Sequence, residues 1–231
     1  MTKSQEINSC TVGLEKCTCF DILTEEQTEL IENNLVEIEF SKGETICKQG
    51  TFATHVIYLT EGLVKVHMDG TQGSLVLKII PDEHLIALTA IFEGNNVFPY
   101  SVSAYVDSKV RLIDIEVFRK IIHENASFAY EIINNINSNT IQTFGRFYCL
   151  TLKQAYGRLA DTILCLSEKV FKQPTFELLL TRKELAELSG MTTENVIRML
   201  KKFKEDELIE INGKIIKIKN KKLLKKISNY G

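Results

Sequence analysis

Between Val36 and Ile115 the sequence is cut into short β-prone runs: VEIEF, ETICK, HVIYLT, LVKVHM, SLVLKII, YSVSAYV and KVRLIDI. Runs this short, rich in β-branched and aromatic side chains, suit strands rather than helices. Thr60-Glu61-Gly62 and Asp69-Gly70-Thr71 separate them as turn signals, glycine accepting the backbone angles that a tight turn needs. Seven or more close-spaced strands leave few fold classes. They predict a small sandwich or barrel with an apolar interior able to enclose a small ligand.

Helical patterns flank this region. TEEQTELIENN, residues 24–34, predicts a short helix capped by Thr24, with Gln27 completing a capping box. In ASFAYEIINNINSNTIQTFGRFYCL, the residues Ile133, Ile136, Thr140, Phe144 and Phe147 recur at coiled-coil spacing. A single helix after a β domain has little else to bury that stripe against, so pairing with a second copy is expected. LTLKQAYGRLADTILCLSEKVF predicts another amphipathic helix, ending near Gln173-Pro174.

The remainder changes both pattern and charge. Residues 176–231 carry 13 Lys/Arg against 8 Asp/Glu, a balance of +5, within a chain whose net charge is −2. An acidic body with a basic end suits a protein that meets a polyanion through that end. Thr181 and Glu184 form a second capping box, opening RKELAELS; Gly190 stops that helix, and TENVIRMLKKFKEDE supplies the next. LIEINGKIIKIK then predicts a hairpin with Asn212-Gly213 as a type I′ turn. Two helices, a short glycine turn and a hairpin make a winged helix-turn-helix pattern.

On the second helix, Val196, Met199, Leu200 and Phe203 form the buried face. Thr193, Glu194, Ile197, Arg198 and Lys201 fall opposite, with Lys202 beside them. Arginine reads guanine through O6 and N7, and a carboxylate accepts from the cytosine amino group. Thr192 and Thr193 at the helix N-terminus favour phosphate, and Ile197 offers apolar contact to a thymine methyl. The competing reading of Glu194 and Arg198 is a surface ion pair one helical turn apart.

These residues carry a resemblance. LTRKELAELSGMTTENVIRMLKKFKEDELIEINGKIIKI is similar to the DNA-binding domain of the Crp/Fnr regulators, whose turn glycine, glutamate, arginine and leucine match Gly190, Glu194, Arg198 and Leu200. FSKGETICKQG and YLTEGLVKV resemble the family's β-roll, with Phe40, Gly43, Ile46, Gly50, Tyr58 and Gly62 at the family's spacing. The resemblance covers roughly residues 20–225. It implies an α+β architecture: a double-stranded β-helix (jelly-roll-like) sensor domain at 20–125, a dimerisation helix at 126–150, and a winged helix-turn-helix domain at 151–231. It further implies a homodimer on a palindromic DNA operator, with RNA polymerase as a further partner and no enzymatic activity. Glu194 and Arg198 would then read the central G·C pair of a half-site. Members of the catabolite-activator branch carry a second arginine where this chain has Thr193, so its preference at outer base pairs should differ.

The signal is less legible. Members that bind cyclic AMP hold its phosphate with an arginine, but no Lys or Arg occurs between Lys78 and Lys109 here, and cAMP is not expected. Cys10, Cys17 and Cys19 are candidates for an iron–sulfur cluster or redox sensor. Their C-x6-C-x-C spacing departs from the family's pattern, and Arg111 stands where its fourth cysteine would be. A haem or a small apolar effector is open. A metal-dependent β-roll enzyme would need clustered histidines, whereas His55, His67, His84 and His123 are far apart in sequence. A ligand-binding module with a merely solvated basic tail is the reading from another class.

The polar stretch MTKSQEINSC lacks the apolar core of an export signal, and no run approaches the roughly 20 apolar residues that cross a bilayer. A cytoplasmic protein without membrane contact is expected. Its six cysteines are then read as free thiols or metal ligands rather than disulfides.

Overall fold

The computed structural model describes residues 16–71, 73–94 and 96–230. Two compact units divide them, one of residues 16–74 with 79–140 and one of 75–78 with 141–230.

In the first unit, α1 (Glu25–Glu32) starts at the expected capping box: the Thr24 hydroxyl accepts from the Gln27 N–H, and the Gln27 side chain accepts from the Thr24 N–H. The strands are β1 (Leu35–Phe40), β2 (Thr45–Cys47), β3 (His55–Glu61), β4 (Leu63–Gly70), β5 (Gly73–Pro81), β6 (His84–Ile86), β7 (Ser101–Ala104) and β8 (Ser108–Asp114). They form two four-stranded sheets, ordered β1-β8-β3-β6 and β2-β7-β4-β5. This is the double-sheet sensor architecture that the sequence implies. All seven anticipated runs are strands; β6, only three residues long, lacks enough alternation to announce itself.

Gly62 makes the β3–β4 turn at a φ of 111°. A Cβ there would stand 2.8 Å from the Ser108 Cα, so both conformation and space exclude a side chain. Beneath the helices, Val56, Leu85 and Ile113 share a buried cluster with Phe118, Ile121, Phe128 and Ile132. Phe118 and Phe128 meet edge-on at 5.2 Å, tying α2 (Ile115–Glu124) to the start of α3 (Ala126–Leu152).

Cysteine usage departs from expectation. Cys17 and Cys19 are joined as a disulfide, their Cα atoms 5.5 Å apart across one intervening residue. That separation lies within the ordinary range for a bridge. Cys10 lies outside the described residues. Cys149 is buried on α3, and burial pushes its thiol up to about 11.

The second unit holds α4 (Ala155–Cys165), β9 (Thr175–Glu177), α5 (Arg182–Ser189), α6 (Thr193–Glu205), β10 (Ile209–Asn212), β11 (Ile215–Ile218) and α7 (Lys221–Tyr230). The hairpin is present, but Asn212 pairs with Ile215, so Gly213-Lys214 forms the loop instead of Asn212-Gly213. Positive φ occurs at Gly213 and not at Lys214, whereas a type I′ turn needs it at both. β9 adds a third strand to this wing, in the order β10-β11-β9. The lysine-rich terminus is a helix rather than a solvated tail: α7 buries Leu224 and Ser228 and packs against α4.

Candidate nucleic-acid interface

The order of caps fixes where α6 begins. α5 opens with Thr181 accepting from the Glu184 N–H while the Glu184 carboxylate accepts from the Thr181 N–H at 2.7 Å. Gly190 closes it in the left-handed region, with a φ of 63°. A Cβ on Gly190 would meet the Leu150 side chain at 2.6 Å. Two residues later the Thr192 hydroxyl accepts from the Asn195 N–H and starts α6.

One arginine locks this turn from below. Arg158 on α4 donates through Nε to the Ser189 carbonyl at 3.0 Å, through Nη2 to the Gly190 carbonyl at 3.1 Å, and through Nη1 to the Lys153 carbonyl at 2.9 Å. Those carbonyls are helix-end acceptors that would otherwise need water. Sequence reading missed Arg158, because an arginine on an amphipathic helix looks the same whether it faces solvent or carbonyls.

Helix α6 divides as its spacing predicts. Val196, Leu200 and Phe203 are buried, with Met199 half-buried at the margin. The Phe203 ring meets Tyr156 edge-on at 4.6 Å. On the other side Glu194, Ile197, Arg198, Lys201 and Lys202 are exposed and Thr193 is half-buried. Wing residues Lys214, Lys217 and Lys219 are exposed as well.

Glu194 and Arg198 do not pair with each other. The Glu194 carboxyl is held below the usual carboxylate range by its own backbone N–H at the helix start, and next by the Thr192 hydroxyl. Arg198 donates from Nη2 to the Asn195 side-chain oxygen at 2.8 Å. Lys202 bonds Asp206 at 2.9 Å, and Lys201 lies 3.9 Å from Glu205. Glu194 thus offers acceptor oxygens, and the remaining donors of Arg198 are open to solvent.

The predicted stripe on α3 is exposed along its length. Phe144 and Phe147 are 68% and 67% accessible, and Ile133, Ile136 and Thr140 are exposed with them. Leu85, Ile86, Ala87 and Leu88 are buried and apolar, and the Ser101 hydroxyl donates to Asp69 at 3.0 Å. With no cation between Lys78 and Lys109, these residues do not fit the usual mode of cyclic-nucleotide binding. Two of the histidines have side-chain or backbone partners: His67 lies 3.0 Å from Asp69 and Ser103, and His84 lies 2.7 Å from the Asp82 carbonyl. No group of three or more potential metal ligands occurs among the described residues. No helix among them is long and apolar enough to cross a membrane.

Comparison with known proteins converges on the same architecture. Residues 37–125 match the cyclic nucleotide-binding domain family, and residues 157–227 match the Crp-like helix-turn-helix domain family. The cAMP-activated global transcriptional regulator CRP of Salmonella typhimurium is 25% identical over 186 residues, covering 77% of this chain and 87% of that protein. The fumarate nitrate reduction regulatory protein of Klebsiella oxytoca is 23% identical over 233 residues, covering 95% and 91%. Among solved structures, FixK2 from Bradyrhizobium japonicum superposes with a TM-score of 0.77 at 18% identity, covering 85% of this chain and 98% of that one. Two domain families in this order, together spanning more than half of the sequence, make this chain a member of the Crp/Fnr family of transcription regulators.

Proposed function

We propose that this regulator binds a palindromic DNA operator as a homodimer, each copy placing α6 in a major groove. Glu194 and Arg198 contact base edges, and Ile197 meets a thymine methyl. Thr193, Lys201 and Lys202 contact phosphate, and Thr192 holds the helix start against it. The observation that carries this reading is that Glu194 and Arg198 stand exposed on a capped helix without neutralising each other. The open stripe of Ile133, Ile136, Thr140, Phe144 and Phe147 supports dimerisation through α3, since monomers rarely expose contiguous apolar surface of this kind. DNA and RNA polymerase as partners place its work in the cytoplasm. An effector other than cAMP biases the placement of the two recognition helices.

Binding to palindromic and scrambled duplexes over a salt series tests the proposal, with the oligomeric state read by light scattering. A dimer whose affinity falls steeply with salt, yet which still discriminates between sequences, is expected. A monomer, or equal affinity for both duplexes, would refute it.

A further inference from the structure

The face of α3 opposite the apolar stripe carries two polar side chains with unmet hydrogen-bonding capacity. Gln142 and Arg146 lie one helical turn apart in the second unit and are 5% and 4% accessible. Arg146 donates from Nη2 to the Val76 carbonyl at 2.8 Å. Its Nε and Nη1 are buried without an acceptor among the described residues, as is the Gln142 side-chain oxygen without a donor. A guanidinium taken out of water needs a counter-charge, and its orphaned donors cost stability. Asp161 acts on Arg146 electrostatically but is already engaged, 3.1 Å from the Lys153 ammonium and accepting from the Ser228 hydroxyl at 2.8 Å. Burial pushes the Arg146 pKa down from its ordinary value, and Arg158 adds to this, while Cys149, by charge and by a side-chain hydrogen bond, and Asp161 oppose it in part.

We propose that Gln142 and Arg146 form a binding site for a small organic anion, whose carboxylate or phosphate oxygens accept from Nε and Nη1 of Arg146 and whose hydroxyl donates to Gln142. A guanidinium suits both head groups, because its planar donors match paired oxygens. A second copy docked on the apolar stripe would not supply these atoms, since the two sets of residues lie on opposite sides of α3. The site does not depend on the DNA-binding reading, and its test is made without DNA.

Titration calorimetry on the full chain at constant ionic strength provides that test, with sodium malate, glycerol 3-phosphate and inorganic phosphate as separate probes and sodium chloride as the blank. Saturable binding of malate or glycerol 3-phosphate at one site per chain is expected, and which of the two binds tells carboxylate from phosphate. Arg146→Met should weaken it roughly 10- to 100-fold, the loss of charge-assisted hydrogen bonds. Gln142→Leu, which leaves the charge in place, should weaken it several-fold and serves if the Arg146 variant fails to fold. Heats no different from the chloride blank for all three probes overturn the proposal. Binding unchanged in the variants that fold overturns it equally.

Discussion

Replacing Arg198 by alanine separates a DNA-reading arginine from a surface ornament. In the folded chain the guanidinium is exposed, and the bond it is seen to make runs from Nη2 to Asn195 at 2.8 Å, three residues back on the same helix. Exposed pairs at this spacing are worth a few tenths of a kcal/mol, so Arg198→Ala should lower Tm by no more than about 1–2 °C. A bidentate contact to guanine is worth about 1–3 kcal/mol, which raises Kd roughly 5- to 150-fold. Fluorescence anisotropy on an operator, and on variants each changed at one base pair, measures both size and position. The loss should be confined to one pair per half-site: once that pair is changed, wild type and variant should bind alike, with the salt dependence preserved. Equal loss on every duplex, with the salt slope reduced by about one, would mean that Arg198 touches phosphate only. A large fall in Tm would mean that it holds the fold.

Gly62→Ala forces a Cβ to within 2.8 Å of the Ser108 Cα at a φ of 111°, and strain of about 1–3 kcal/mol should lower Tm by roughly 2–10 °C; an unchanged Tm would refute the turn geometry. Phe144→Asp sets a charge in the middle of the exposed α3 stripe and should shift the protein to monomer by light scattering, with DNA affinity falling at the same time; a stable dimer would refute pairing through that face. Burial pushes Lys78 down to about 8 from 10.5, so the folded state carries a cost below pH 8 that disappears as pH rises towards 10.5. Lys78→Met should therefore exceed wild type by up to roughly 3 kcal/mol below pH 8 in denaturant titrations, the gap closing by about pH 10.5; a pH-independent gap would refute the assignment.

What the sequence revealed depended on whether a signal was local. The capping boxes at Thr24 and Thr181, the stop at Gly190 and the buried face of α6 follow from spacings of three and four residues, and the folded chain keeps them. The misses are non-local. β9 is a strand because Phe176 pairs with Ile216, forty residues on, and nothing in the short run Thr175–Glu177 announces that partner. α7 went unassigned because its apolar stripe is short, and it is helical because Leu224 reaches α4. Arg158 and Arg146 are both arginines on amphipathic helices; the carbonyls that hold one and the unmet donors of the other emerge only when distant segments meet.

The same distinction explains why Glu194 and Arg198 remain open. Spacing alone favours an ion pair between them, and in a mid-helix position that pair would form. Glu194, however, is the second residue of α6, where its own unpaired N–H and the Thr192 hydroxyl bond its carboxylate. Asn195 then provides Arg198 with an oxygen one residue closer than Glu194 does. The helix start therefore sets acid and base apart, and that start is fixed by Gly190 and by the Arg158 donors on the turn carbonyls. Under the proposed reading, sequence-specific contact by this chain depends as much on where α6 begins as on which residues it presents.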